Sequence, residues 1–222
     1  METQIPVVLH AATLSQALPV CAAALRRGRR LSTPARLIVV WCLLLLLDDA
    51  ISLTIAHVRG RNLWYQYPTF PLESCIALWA FSLWQSNELL RIVYRIVIPV
   101  LLLVTAAALL MPGRAAAFDD VVVPLYSLVL LIAAVQTLLY RTFTSEQLVT
   151  REDWFWIGLG MSLTYGTAVA IRPFAQAFIT SRPDWVADAY IAKAWTDILA
   201  FLLITRGILL RPNPLPRSGG RS

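Results

Sequence analysis

Apolar residues in this chain come in long runs that are apolar on every side, interrupted by short polar clusters. A soluble helix would show an apolar stripe with a polar opposite face, and a half-buried strand would alternate. Neither pattern dominates. At 1.5 Å per residue, roughly 20 residues of helix cross a hydrocarbon core of about 30 Å. Read in windows of that length, the chain divides into seven segments near 4–25, 36–57, 69–87, 91–111, 118–140, 153–178 and 185–209. The connections "RRGRRLSTPAR", "RGRNLWYQYP", "MPGR" and "TSRPD" are short and marked by Pro or Gly. The prediction is an all-α integral membrane bundle of seven transmembrane helices. It forms one domain over 1–210, with a Pro, Gly and Ser-rich tail at 211–222 read as disordered.

Composition agrees. With 58% hydrophobic and 14% charged residues and a mean hydropathy of +0.65, the chain is too apolar for a water-soluble domain of 222 residues. The net charge of +6 would ordinarily raise nucleic acid as a partner, but the arginines sit between the hydrophobic runs. They read as membrane anchors, and no nucleic-acid role is expected. Their distribution also orients the chain. With the N-terminus outside, thirteen arginines fall in cytoplasmic connections and four (Arg59, Arg61, Arg114, Arg182) in outer ones. That bias predicts an N-out, C-in topology. The "RRGRR" cluster follows the first segment and no positive charge precedes it, which reads as an anchor and not as a cleaved leader despite "CAAAL".

Chemistry enters through six ionisable residues inside the predicted spans: Asp48, Asp49, Glu73, Arg172, Lys193 and Asp197. Lys193 is the only lysine. A charge at bilayer depth costs several kcal/mol unless paired or hydrated, so these groups should face the interior of the bundle. Counting about 1.5 Å per residue from the outer ends places all six between roughly 6 and 18 Å down, in the outer half or at the midplane. Lys193 and Asp197 are four apart on one helix face and should pair. Lys193 is further expected to reach an acid from the second or third segment. Pro173 is expected to kink the sixth segment beside Arg172. Tyr165, Trp195, Trp79 and Gln136 are candidate walls. Asp119 and Asp120 read as a solvated helix start, and Gly158, Ser162, Gly166 and Ala170 as a small-residue packing stripe.

Four acids against two bases imply a pocket for a small polar ligand, a proton or a cation. Arg172 and Lys193 would take an anionic group, and the four acids an amine, cation or proton. The competing expectation is a structural accessory subunit whose charges only pin helices together, assembled with a larger membrane complex. No H-E-x-x-H, G-x-S-x-G or P-loop is present, so no enzyme is expected. Cys21, Cys42 and Cys75 lack C-x-x-C spacing and the histidines are only His10 and His57, so neither a disulfide framework nor a metal site is expected.

Three segments, "LDDAISLTIAHVRGRNLWYQYPTFPLESCIALW", "REDWFWIGLGMSLTYG" and "AKAWTDILAFLLITRGIL", resemble a diffuse, uncharacterised group of bacterial seven-helix proteins. The shared features are Asn62, Leu63, Trp64, Tyr67 and Glu73 before and within the third segment, and Phe155, Trp156, Ile157 and Gly160 opening the sixth. This resemblance implies the architecture of a multi-pass protein of the bacterial inner membrane and little biochemistry. The expected receptor or carrier, if a sensor, would pass its signal to a cytoplasmic or membrane protein partner. A second resemblance is architectural. Seven helices, N-out topology and one lysine in the last helix are similar to the microbial rhodopsins, which implies retinal as a cofactor on Lys193. Against it, Ala189 stands four residues before the lysine where that family carries an aspartate. Glu73 is followed by Ser74 and not by tryptophan.

Overall fold

The computed structural model describes residues 4–26, 31–59, 63–111, 118–145 and 148–210. The expected tail at 211–222 and the arginine cluster at 27–30 lie outside the described residues. Within them the chain is helical without strands, and it forms seven rods. The first rod is two helices, α1 (Gln4–Ser15) and α2 (Ala17–Leu25). The others are α3 (Thr33–Arg59), α4 (Leu63–Trp84), α5 (Glu88–Leu110), α6 (Val123–Thr144), α7 (Asp153–Phe178) and α8 (Pro183–Leu209). A π-helical turn, Phe118–Val122, leads into α6.

Among the described residues, four rods are long and apolar enough to cross a membrane: Val7–Leu25, Glu88–Leu110, Phe118–Thr144 and Asp153–Phe178. The other three, α3, α4 and α8, carry Asp48, Asp49, Glu73, Lys193 and Asp197 between them. Polar residues thus concentrate on particular rods.

Two element boundaries depart from the expectation. The first segment is broken at Gln16, because Pro19 has no N–H for the Ser15 carbonyl and its ring crowds that carbonyl. The chain compensates locally. Gln16 N–H donates to the Thr13 carbonyl (3.2 Å) and the Ser15 hydroxyl to that of Ala12 (2.6 Å). Helix α4 begins at Leu63, six residues before the expected 69, and runs through both Pro68 and Pro71. Each proline removes one backbone bond near the start of the helix without ending it.

Six rods close a ring in the order α1/α2, α3, α4, α6, α7, α8, with α8 returning to pack on α1 and α2. Helix α5 stands outside, against α4 and the π-helical turn. The most extensive contact, α7 on α8, is made close by glycine. A Cβ on Gly160 would lie 2.6 Å from the Ala200 carbonyl oxygen, and one on Gly207 2.7 Å from Ile157 Cγ1. The predicted small-residue stripe turns elsewhere, with Gly158 and Gly166 facing Leu138 and Leu131 of α6.

The interior has two regions. At the end that carries Arg26, Arg141 and Arg206 it is mainly apolar, filled by Ile38, Leu78, Phe81, Ile157, Ile204 and Ile208. Ser82, Gln85 and Thr137 are buried among them, with Gln85 Nε2 donating to Thr137 Oγ1 (2.6 Å). Towards the other end it opens into a polar cavity. The outer surface is the reverse of a soluble protein's, with Leu14, Leu25, Leu103, Leu110 and Phe143 among many exposed apolar side chains.

Candidate functional site

The cavity measures about 260 Å³ and every rod except α5 lines it. Asp48, Glu73, Arg172, Lys193 and Asp197, drawn from four helices, share its walls. Asp49 lies just behind, where its Oδ2 accepts a hydrogen bond from Gln16 Nε2 (2.9 Å) at the break in the first rod. The break therefore turns a polar side chain into the bundle.

Lys193 donates to Asp197 Oδ2 one helical turn on, the pair expected from the spacing. The second expected partner is absent. Among the described residues no ion pair joins Lys193 to Asp48, Asp49 or Glu73. Arg172 likewise meets no carboxylate there. Its Nη1 donates to the backbone carbonyl of Asp119 (3.3 Å), and Gln176 Nε2 donates to Asp120 Oδ1 (2.7 Å). Asp119, through its backbone carbonyl, and the exposed Asp120 link the start of the π-helical turn to α7.

Buried polar atoms without a protein partner collect around this cavity. Four are acceptors: Gln16 Oε1, Asp48 Oδ1, Glu73 Oε1 and Asp197 Oδ1. The Trp41 indole nitrogen and the Thr164 hydroxyl are the two that can donate. Glu73 is only 4% exposed. A buried group left without a partner is costly, so a cluster of them marks a place where the fold gives way to something else. Aromatic rings form part of the wall. Trp41 stacks on Phe201 (6.1 Å, 22°) and lies 6.2 Å from Tyr165.

Lys193 also belongs to the walls of two neighbouring cavities. One, of about 510 Å³, lies beside Asp119, Arg172 and Gln176. The other, of about 310 Å³, lies beside Thr13, Gln16 and Asp49. Lys193 is a wall residue of all three spaces, and Asp197 of the central and the 310 Å³ ones.

Of the candidate walls, Tyr165 is in place and three are not. Trp195 and Trp79 are 60% and 43% exposed and face outward, and Gln136 bonds to Tyr94 between α6 and α5. Depth alone does not fix a helix face. Trp195 is two residues from Lys193, about 200° around the helix, and Trp79 is six from Glu73, about 240°. The residues that depth matching missed obey the helical repeat. Trp41 is seven before Asp48, Gln66 seven before Glu73, and Phe201 four after Asp197. Stepping by three, four and seven from each charge would have found them.

No cluster of three or more His, Cys, Asp or Glu suited to a metal ion occurs among the described residues. Cys42 is buried, Cys75 half-buried and Cys21 exposed, all as free thiols. No family model, no curated protein and no solved structure matches the chain.

Proposed function

We propose that this is a seven-span protein of the bacterial inner membrane, N-terminus outside and C-terminus cytoplasmic, that senses a small polar ligand in a cavity reached from the outer side. The observation that carries the reading is the cavity, where five of the six intramembrane ionisable residues meet unpartnered acceptors from separate helices. The arginine-rich end supports the orientation. There Arg206 lies over Trp156 (3.9 Å) and Arg141 over Trp154 (5.7 Å), and at the opposite end Arg182 lies over Trp185 (4.8 Å). Pairs of this kind sit at both membrane interfaces, so the orientation rests on the number of arginines and not on these pairs. A sensor is preferred to a carrier because the five ionisable wall residues lie towards one end of the bundle only, whereas a carrier needs a second charged passage. The sensor's state would be relayed to a cytoplasmic or membrane protein partner. The short, polar cavity does not favour a long polyene on Lys193.

The test is access. In a variant with Cys21→Ser, Cys42→Ala and Cys75→Ala, Ala168→Cys places a thiol on the shared wall of the central and the 510 Å³ cavities. A small membrane-impermeant thiosulfonate should modify it in intact spheroplasts and fail to do so in inside-out vesicles. A thiol unreactive from both faces, in a chain that purifies only within a larger complex, would establish the structural-subunit alternative instead.

A further inference from the structure

Resting on that reading of the cavity as a ligand site, we infer that its ligand is a small organic cation carrying a primary ammonium group. Lys193 and Asp197 satisfy each other's charge, and Arg172 is turned to a backbone carbonyl. Asp48 and Glu73 are left on the cavity wall without a cationic partner, each with one oxygen that nothing in the protein engages. The free oxygens of Gln16 and Asp197 face the same space. Among the buried wall atoms without a protein partner, four acceptors stand against one indole N–H and one hydroxyl, a balance that suits a ligand that chiefly donates.

An ammonium presents three donors and a full positive charge, which suits two unpaired carboxylates and an amide oxygen. A bare metal ion suits them less, because the carboxylates do not converge into a coordinating cluster. Size and walls agree with an organic molecule. A volume of about 260 Å³ holds roughly nine water-sized groups at about 30 Å³ each. The faces of Trp41, Phe70 and Phe201 offer both apolar contact for a short carbon chain and cation–π attraction for its head. The remaining donors of Lys193 and Arg172 lie at the rim shared with the 510 Å³ cavity, where a carboxylate at the far end of a zwitterion would reach them.

The full-length Ala168→Cys protein, reconstituted in nanodiscs, provides the assay, with n-butylammonium, butyrate and 4-aminobutyrate as probes of equal chain length. Butylammonium should slow modification of the thiol several-fold and quench Trp41-dependent fluorescence, while butyrate at the same concentration should do neither. Glu73→Gln and, independently, Asp48→Asn should each weaken butylammonium at least tenfold, so a folding defect in one leaves the other as a check. Protection by 4-aminobutyrate much stronger than by butylammonium would identify the ligand as an amino-acid-like zwitterion, and equal or weaker protection a plain amine. Protection by butyrate in place of butylammonium would overturn the inference. So would indifference of a reactive thiol to both amines at ~10 mM, a result that leaves the cavity's accessibility, and with it the sensor reading, standing.

Discussion

Lys193 and Asp197 are 26% and 15% exposed, so each shields the other from a surrounding that cannot solvate it well. Removing one partner strands a charge, whereas removing both replaces an ion pair by apolar packing. Asp197→Leu alone should therefore destabilise the protein by about 3 kcal/mol. Combining it with Lys193→Met should recover most of that loss, read as the apparent Tm of the detergent-solubilised chain. The same double variant should lose any response carried by the cavity, which separates the pair's part in folding from its part in the site. At this scale the sequence was informative about which residues matter and poor about which way they face. A charge in an apolar run announces itself by its cost, while the side to which a tryptophan turns depends on packing that only helical phase can anticipate.

Between elements, the tightest seam is α7 on α8, and Gly160 sets its spacing. Gly160→Val would drive side-chain atoms into the Ala200 carbonyl and Ile204, with an expected cost of about 3 kcal/mol. Gly166→Ala should be neutral or gain up to about 1 kcal/mol of helix propensity, because its new methyl would meet only Leu131 Cδ1 at 3.7 Å. Thermal denaturation followed by size-exclusion of the two variants checks both. A Gly166→Ala chain as unstable as Gly160→Val would contradict the assignment of faces. The rods themselves were legible because hydrophobic length is a local property. The break at Gln16 and the early start of α4 were not, since prolines at 19, 68 and 71 act alike in a local reading. In the fold, one interrupts a helix and two are absorbed by it. Helix α5 is the most apolar of the four candidate spans and has no ionisable residue after Arg95, a signal that fits its place outside the ring.

For the molecule as a whole, the N-out, C-in topology proposed from the arginine distribution is one that reporter fusions can read. A cytoplasm-active fluorescent reporter inserted at Ser86, between α4 and α5, should be bright. A periplasm-active phosphatase inserted at Ser181, between α7 and α8, should be active. The opposite pair of outcomes would invert the bundle and turn the cavity towards the cytoplasm. Replacing Arg141, Arg151 and Arg206 with glutamine should weaken the bias and yield a mixture of orientations, visible as partial activity of both reporters.

The meeting of three cavities at Lys193 bears on time as well as on space. A lysine side chain changes rotamer in pico- to nanoseconds where it is exposed, whereas helices slide past one another in micro- to milliseconds. With one side chain in the walls of all three, the volumes can merge and separate while the six-rod ring stays still. On the proposed reading, exchange of a bound molecule between these spaces would depend in part on how long the Lys193 ammonium holds the Asp197 carboxylate. That part of the dwell time is one that the membrane's own thickness and tension would hardly touch.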